Sequence, residues 1–485
     1  MAHLATAIII QKSIQGAIAL FFRTLFLQLI NFLALIVLGI FLAPNAFGVY
    51  YIILAVIAFL AYFSDIGLAA ALIQKKDECS DDDFKTAFTI QQLLVLTLVG
   101  IALISSGFIA SFYDLDKPGM LLFQACVFAF FLSSLKTIPS VILERNLDFQ
   151  KLVIPQIVET IVFNTIAITL AVKGFGITSF SFAVLARGVT GLIVLYMIMP
   201  WRPAIGIDKT SAKRLLSFGL PFQGNSVLAL IKDDFLTIIL GKILTLGEVG
   251  FVGFSQKWAY TPLRLTIDNI IRVTFPSFSR LQNDQRALRT AIEKSLFIIL
   301  AIVTPLLLGL VILAPYLVHI VPKYSKWEPA LLSLTFFSAN AFLSSVSTPL
   351  TNLLNAIGKI RVTLMFMVFW TAATWISTLI AIQFFGFNGV SIASFIVSLS
   401  VVAVVVVTHK IVAFNLWRAI SAPCIAGISM GAVLFFLAPL IVSDFISFLL
   451  TALLGGVIYI AILYTLAKHE LQRDIILIKG ILKKS

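Results

Sequence analysis

The sequence predicts an all-α integral membrane protein with about fourteen transmembrane helices. Of its 485 residues, 60% are hydrophobic and only 12% are charged, and the mean hydropathy is +1.06. A soluble domain carries roughly a quarter charged residues. Apolar runs close to the roughly 20 residues needed to cross a bilayer recur along the whole chain, separated by short polar joints. Together these observations exclude a soluble fold.

The apolar runs define the predicted spans in chain order. They cover roughly residues 19–42, 47–72, 87–112, 119–143, 153–172, 179–200, 217–244, 249–277, 294–321, 329–354, 362–383, 387–408, 419–440 and 445–467. The first span is expected to stay in the mature protein, because Met1 to Gln11 contains no Lys or Arg that would begin a cleavable signal peptide.

Basic residues are distributed unevenly over the joints between the spans. If the N-terminus is cytoplasmic, the outer joints hold only Lys117, Lys173, Lys323 and Lys326. The inner joints hold Lys75, Lys76, Lys85, Arg145, Lys151, Arg202, Lys209, Lys213, Arg214, Arg280, Arg286, Arg289, Lys294, Lys359, Arg361, Lys410 and Arg418. By the positive-inside rule, both termini are predicted to be cytoplasmic.

Several function classes lack support in the sequence. The net charge of +13 is spread over many short joints, so no basic domain is predicted to bind nucleic acid. The three cysteines and four histidines have no metal-ligand spacing, so neither a metal site nor a catalytic centre is predicted. Gly427 to Gly431 match the nucleophile-elbow pattern of serine hydrolases but lie inside the thirteenth span, where a small-residue helix contact is the better interpretation. We expect a transporter, not an enzyme.

A weak internal repeat divides the chain. Leu38 to Leu42, followed by Phe47-Gly48, aligns with Leu240 to Leu244, followed by Val249-Gly250, at an offset of about 202 residues. This offset predicts an N-terminal lobe in residues 1–202 (spans 1–6) and a C-terminal lobe in residues 203–410 (spans 7–12). Spans 13 and 14 occupy residues 411–467. Residues 468–485 alternate apolar and basic side chains, as expected of an amphipathic helix on the inner leaflet.

Ionisable residues inside the spans are the strongest functional signal. A charge near the centre of a transmembrane helix costs about 2.5–3.5 kcal/mol, so these groups are expected to face a water-filled, net-cationic cavity between the two lobes. The candidate substrate-binding cations are Arg23, Arg187, Lys232, Lys257, Arg264 and Arg272. The candidate ion-coupling acids are Asp65, Glu159, Asp233, Asp234 and Asp268. In the eighth span, Lys257, Arg264, Asp268 and Arg272 fall within about 80° of one another around the helix.

Alternatives remain open for several of these groups. Arg272 and Lys136 lie near cytoplasmic span ends, where snorkelling to the interface is the simpler interpretation. For Lys232, the alternative to substrate binding is a simple ion pair with Asp233 or Asp234. The acids can carry a coupling proton, bind sodium, or neutralise neighbouring cations, and the sequence does not choose among these roles. No cofactor is predicted beyond such a coupling proton or sodium ion.

Motifs in order along most of the chain resemble those of Wzx-type polysaccharide flippases. They are Phe47-Gly48-Val49-Tyr50, Ser64-Asp65-Ile66-Gly67-Leu68, Ala71-Leu72-Ile73-Gln74, Glu144-Arg145-Asn146-Leu147-Asp148-Phe149, Phe218-Gly219-Leu220-Pro221 and Phe275-Pro276-Ser277-Phe278-Ser279-Arg280-Leu281-Gln282. These flippases belong to the multidrug, oligosaccharidyl-lipid and polysaccharide exporter superfamily.

This resemblance implies two six-helix lobes in pseudo-twofold arrangement plus two further helices. It also implies movement of an undecaprenyl-pyrophosphate-linked oligosaccharide from the inner to the outer leaflet of a bacterial cytoplasmic membrane. The implied partners are the lipid-linked oligosaccharide, membrane lipids, and polysaccharide polymerase or export machinery. A drug exporter of the same superfamily is the nearest rival. A membrane glycosyl polymerase or ligase and an uncoupled scramblase-like protein are more distant ones.

Overall fold

Helices account for most of the residues that the structure describes. The structure is a computed structural model that describes residues 23–75, 77–224 and 230–482. The chain divides into two compact units, Met1–Gly253 and Phe254–Ser485. The division after Gly253 reflects which residues pack together. The predicted lobe boundary after residue 202 comes from the sequence repeat, and it stays a prediction.

The first unit consists of eleven described helices and the start of a twelfth. They are α1 (Arg23–Phe41), α2 (Pro44–Asp65), α3 (Leu68–Gln74), α4 (Asp81–Ile104), α5 (Ser106–Phe112), α6 (Lys117–Ser134), α7 (Thr137–Arg145), α8 (Phe149–Val172), α9 (Thr178–Ile198), α10 (Lys209–Gly224), α11 (Leu236–Ile243) and α12 (Leu246–Leu281). A π-helical turn at Ile231–Phe235 precedes α11.

The second unit takes in α12 from Phe254 onward and the helices that follow. They are α13 (Gln285–Ile320), α14 (Ala330–Ala356), α15 (Ile360–Phe385), α16 (Asn388–Ser398), α17 (Val401–Ile411), α18 (Leu416–Ile441) and α19 (Phe445–Leu482). One apolar core of this unit joins Leu288, Ile292 and Leu296 of α13 to Leu350 and Leu353 of α14. These five side chains are fully buried.

The last two long helices pack on α13. A Cβ atom added to Gly427 of α18 would lie 2.5 Å from Cγ2 of Thr304, so only a glycine allows the two helices to approach this closely. This contact agrees with the small-residue interpretation of the Gly427 to Gly431 motif. In α19 the backbone leaves helical geometry at Ala467, where φ is −107°. The predicted amphipathic tail therefore begins at a kink, and its last residues, 483–485, lie outside the described part.

A backbone-to-backbone contact anchors α10 on the first unit. Between α2 and α3 the chain turns through Ile66 and Gly67, with φ values of 43° and 77°. A Cβ atom on Gly67 would lie 2.4 Å from the carbonyl oxygen of Gly219 in α10. Because Gly67 has both a positive φ and no room for a side chain, glycine is required there. The Asp65-Ile66-Gly67 motif thus has a structural reason.

An ion cluster at the start of α4 also holds α10 in place. Asp83 is fully buried, and its carboxylate lies 2.5 Å from Lys75 Nζ and 2.8 Å from Arg214 Nη2 of α10. The same carboxylate accepts a hydrogen bond from the backbone N–H of Ser80, which closes a capping box on α4. Upstream of α10, the N–H of Asp208 donates to Thr86 at 2.9 Å. The joint that leads into α10 is therefore fastened to α4.

Twelve helices among the described residues are long and apolar enough to cross a membrane. They match every predicted span except the seventh and the eighth, and the start of the first span at residue 19 lies outside the described residues. The seventh span is divided among α10, the π-helical turn and α11, and the eighth is α12. These two segments carry most of the charges inside predicted spans, and their low apolarity follows from that. The all-helical membrane fold is confirmed, whereas the count of fourteen stays a prediction.

We predict that Asp83→Asn lowers the free energy of unfolding by roughly 3 kcal/mol, because Lys75 and Arg214 lose a buried anionic partner. Thermal unfolding of the purified protein in detergent measures the loss. Asp82→Asn is the matched control, because Asp82 is 69% exposed and lies 3.7 Å from Lys85, a surface pair worth about 0–1 kcal/mol. Equal destabilisation by the two substitutions would contradict this account of Asp83.

Candidate functional site

One face of α8 carries the main polar cluster of the first unit. Gln156, Thr160 and Asn164 recur at intervals of four residues, and Glu159 lies three positions after Gln156, so these side chains lie on one side of the helix. Glu159, Thr160 and Asn164 are buried. Each of these polar groups must therefore find partners inside the protein.

Glu159 lies between two cations from other parts of the first unit. Its Oε1 atom is 2.5 Å from Nζ of Lys136, and its Oε2 atom is 3.6 Å from Nε of Arg187 on α9. The exposed fractions of the side chains are 9% for Glu159, 16% for Lys136 and 51% for Arg187. Lys136 occupies the break between α6 and α7, and its ammonium group points to Glu159. For Lys136 the structure therefore favours ion pairing over snorkelling.

The guanidinium of Arg187 is only partly engaged. Its Nε faces Glu159, and its central carbon lies 6.0 Å from the centre of the Phe163 ring. No described residue accepts a hydrogen bond from its terminal nitrogens. Because Arg offers donors in a planar fork, these terminal groups are suited to binding an anion that reaches the exposed side of the residue.

Two side-chain hydrogen bonds join α1 to α8. Nη1 of Arg23 donates a hydrogen bond to Oε1 of Gln156. Eight residues further along each helix, Nδ2 of Asn164 donates to Oδ1 of Asn31 at 2.9 Å. Gln156 lies one turn before Glu159, so the structure brings Arg23, Lys136 and Arg187 to adjacent turns of α8.

Gly191 of α9 makes room for the carboxylate of Glu159. A Cβ atom at this position would lie 1.8 Å from Oε1 and 2.4 Å from Cδ of Glu159. Any side chain at position 191 would therefore displace Glu159 from Lys136 and Arg187. Sequence reasoning missed Gly191, Gln156 and the role of Lys136, because nothing in the local pattern says which helices are neighbours.

Asp65 has a structural role. Its Oδ1 atom accepts a hydrogen bond of 3.2 Å from the N–H of Ala69, in the first turn of α3. A carboxylate at the start of a helix satisfies backbone donors that have no partner within the helix. This contact explains an acid at that position without assigning it a coupling ion.

The π-helical turn contains three of the candidate site residues, Lys232, Asp233 and Asp234. Lys232 Nζ lies 3.6 Å from Oδ1 of Asp233, in agreement with the pairing alternative for Lys232. Asp233 is exposed, and Asp234 is partly buried. Single π-helical turns occur frequently at functional sites, because they redirect side chains within a helix.

A charged stripe runs along the second unit. It consists of Lys257, Arg264, Asp268 and Arg272 on α12, and the structure exposes all four side chains. The opposite side of the helix is buried on α13 and α14, where Ile267 packs against Ile299 and Val303. The stripe therefore faces away from the core of its unit. Within the described residues, no group of three or more His, Cys, Asp or Glu side chains could hold a metal ion.

The charged stripe is expected to face water, because four charges exposed to hydrocarbon would cost roughly 10 kcal/mol or more. We predict that cysteines at positions 264 and 268 react with a membrane-impermeant, charged thiol reagent in a variant without the three native cysteines. Labelling is measured by mass shift.

Two positions serve as controls for this labelling. Ile267→Cys is buried in the core of the unit, and Leu306→Cys on α13 replaces an apolar side chain that is 47% exposed. Neither is expected to react, because one is packed and the other faces lipid. Labelling at 306 equal to that at 264 would show that exposure alone explains the reaction.

Known proteins share both sequence and fold with this chain. A family described as "Polysaccharide biosynthesis protein" matches residues 37–332. The lipopolysaccharide biosynthesis protein WzxC of Escherichia coli strain K12 is 25% identical over 400 residues, 80% of this chain and 79% of that protein. The succinoglycan biosynthesis transport protein ExoT of Rhizobium meliloti strain 1021 is 20% identical over 403 residues, 83% of this chain and 80% of its own.

Two solved structures show the fold. The lipid II flippase MurJ, in an inward closed conformation, superposes with a TM-score of 0.76 at 16% identity, over 94% of this chain and 100% of MurJ. An inward-facing multidrug resistance transporter of the MATE family, from the MOP superfamily, gives a TM-score of 0.61 at 14% identity, over 79% and 95% of the two chains. The family match and the similarity to WzxC and ExoT confirm the predicted resemblance to Wzx-type flippases. Because the family match covers more than half of its length, the chain belongs to the polysaccharide biosynthesis protein family.

Proposed function

We propose that this protein is a flippase that moves an undecaprenyl-pyrophosphate-linked oligosaccharide from the inner to the outer leaflet of a bacterial cytoplasmic membrane. The observation that carries the proposal is the exposed stripe on α12, where three cations and one acid share a face of a helix in a membrane protein of this family. The similarity to WzxC and ExoT, whose names assign them to polysaccharide biosynthesis and transport, supports the same substrate class.

The chemistry of the stripe suits such a substrate. A pyrophosphate group brings negative charge into the protein, where Arg264 and Arg272 can each donate paired hydrogen bonds and Lys257 can act as a point charge. The oligosaccharide needs a hydrated path, whereas the lipid tail can remain in the bilayer. Alternating access moves the head group without exposing it to hydrocarbon. Transport of this kind makes and breaks no covalent bond, so the proposed activity is not enzymatic.

Ion coupling is a further part of the proposal. Asp65 accepts a backbone hydrogen bond from Ala69 and Glu159 is paired with two cations, so Asp233, Asp234 and Asp268 are the better candidates among the five acids for a coupling proton or sodium ion. Polysaccharide polymerase or export machinery would receive the product on the outer side.

A multidrug exporter is the second candidate, since the MATE transporter shares the fold. Exporters of cationic drugs favour acidic or aromatic cavities over basic ones. The excess of cations on α12 therefore favours an anionic substrate.

Native mass spectrometry of the purified protein tests the proposal. The wild type is challenged with undecaprenyl-pyrophosphate-linked oligosaccharide and, separately, with cationic dyes. We expect retention of the glycolipid and a roughly 10- to 100-fold weaker complex in Arg264→Gln, because a charge-assisted hydrogen bond contributes about 1.5–3 kcal/mol. Export of surface polysaccharide in cells should fall with binding.

Arg286→Gln is the matched control, because Arg286 is an exposed arginine in the first turn of α13, outside the stripe. Its binding and its export should equal those of the wild type. Retention of dyes in place of the glycolipid would establish the drug-exporter alternative, and full export by Arg264→Gln would refute the role of the stripe.

Orientation is the other element of the proposal that can be tested directly. With both termini cytoplasmic, Lys326→Cys lies outside and Lys359→Cys lies inside. In intact spheroplasts, an impermeant thiol reagent should label the cysteine at 326 but label the cysteine at 359 only after lysis. The reverse pattern would invert the assigned topology.

A further inference from the structure

Like Asp83, Glu159 is a buried acid that contacts two cations, but it lies within a helix that is long and apolar enough to cross the membrane. Glu159 contacts Lys136 through one carboxylate oxygen and Arg187 through the other. The two contacts are unequal, at 2.5 Å and 3.6 Å. Lys136 is therefore the firm partner of Glu159, and Arg187 is the loosely held one.

The loosely held cation is also the accessible one. About half of the Arg187 side chain is exposed, and none of the described residues occupies its terminal nitrogens. An anion that arrives at Arg187 meets a guanidinium whose charge is already partly balanced by Glu159. Such an anion and the carboxylate of Glu159 compete for the same cation.

The surrounding structure fixes the position of the Glu159 carboxylate. Gly191 lies against the carboxylate so closely that a Cβ atom would come within 1.8 Å of Oε1. Lys136 stands where α6 ends and α7 begins, so its ammonium group approaches from a break in the helix. The acid is therefore held in place by the backbone of α9 on one side and by Lys136 on the other.

We propose that Glu159, held by Lys136, is a built-in counter-anion that limits how tightly Arg187 binds the phosphate groups of the substrate. This inference rests on the proposed function and adds a role for one acid. A transporter must bind its substrate strongly enough to capture it and weakly enough to release it on the other side. Glu159 serves release, because it recaptures Arg187 as the phosphate leaves.

The test uses the full-length protein in lipid nanodiscs with undecaprenyl pyrophosphate as the probe. Binding and dissociation are followed for the wild type, Glu159→Gln and Arg187→Gln. We expect Glu159→Gln to bind the probe on the order of tenfold more tightly, mainly through slower dissociation, because two cations lose their internal anion. Arg187→Gln should bind more weakly than the wild type.

Transport of a fluorescent undecaprenyl-pyrophosphate-linked sugar into proteoliposomes gives a second readout. In Glu159→Gln, the half-saturating substrate concentration and the maximal rate should both fall. A merely structural role for Glu159 would lower the rate and raise, or leave unchanged, the half-saturating concentration. Asp148→Asn is the charge-matched control, because Asp148 pairs with Lys151 at 3.3 Å outside this cluster. It should behave as the wild type.

Gly191→Ala keeps the inference testable if Glu159→Gln does not fold. The added methyl group displaces the carboxylate without removing its charge, so tighter probe binding is again expected, with a smaller change. Gly100→Ala is its control, because a Cβ atom there meets no atom within 4 Å.

The outcomes separate the two proposals. If the wild type binds the probe but Glu159→Gln and Gly191→Ala bind it equally or more weakly, the counter-anion role is overturned and the flippase proposal stands. If neither the wild type nor any variant binds the probe, both proposals fall.

Discussion

The free-energy cost of placing a charge in hydrocarbon determines where the charged side chains of this membrane protein can lie. An ionised side chain inside a bilayer must be paired, hydrogen-bonded or hydrated, and otherwise it opposes membrane insertion by several kcal/mol. The chain nevertheless carries ionised groups in several of its predicted spans. The positions of those groups therefore identify the parts of the membrane domain that face water or other protein groups, not lipid alone.

The two units meet this constraint in different ways. In the first unit, Glu159 draws Lys136 and Arg187 together, so that three charges are buried or half-buried on adjacent helices. In the second unit, the charges of α12 are displayed on an exposed face while apolar residues such as Ile267 form the core. Ion pairing of buried charges suits a site whose affinity for its ligand must be moderated. Exposed charges suit a surface that is in contact with water. A flippase for an anionic head group has use for both.

The start of α4 in the first unit shows the same constraint at work in folding. Asp83 is fully buried, and it is tolerated because Lys75, Arg214 and the start of α4 satisfy its carboxylate together. That cluster, together with the contact between Gly67 and Gly219, fixes α10 to the preceding helices of the same unit. The charged segment that contains the π-helical turn follows immediately after this anchored helix. The buried cluster around Asp83 thus holds the helix that precedes the charged segment.

The sequence by itself determined the membrane class, twelve of the spans and the shared face of the α12 charges, because apolar runs and helical spacing are local properties. Motif order also determined the family. Only the tertiary structure decided which charges meet. Glu159 and Lys136 are 23 positions apart, and Asp83 and Arg214 are 131 positions apart, so no local pattern relates either pair. The same holds for Gly191, whose importance follows from the carboxylate packed against it, since the partners of a buried charge are set by helix packing.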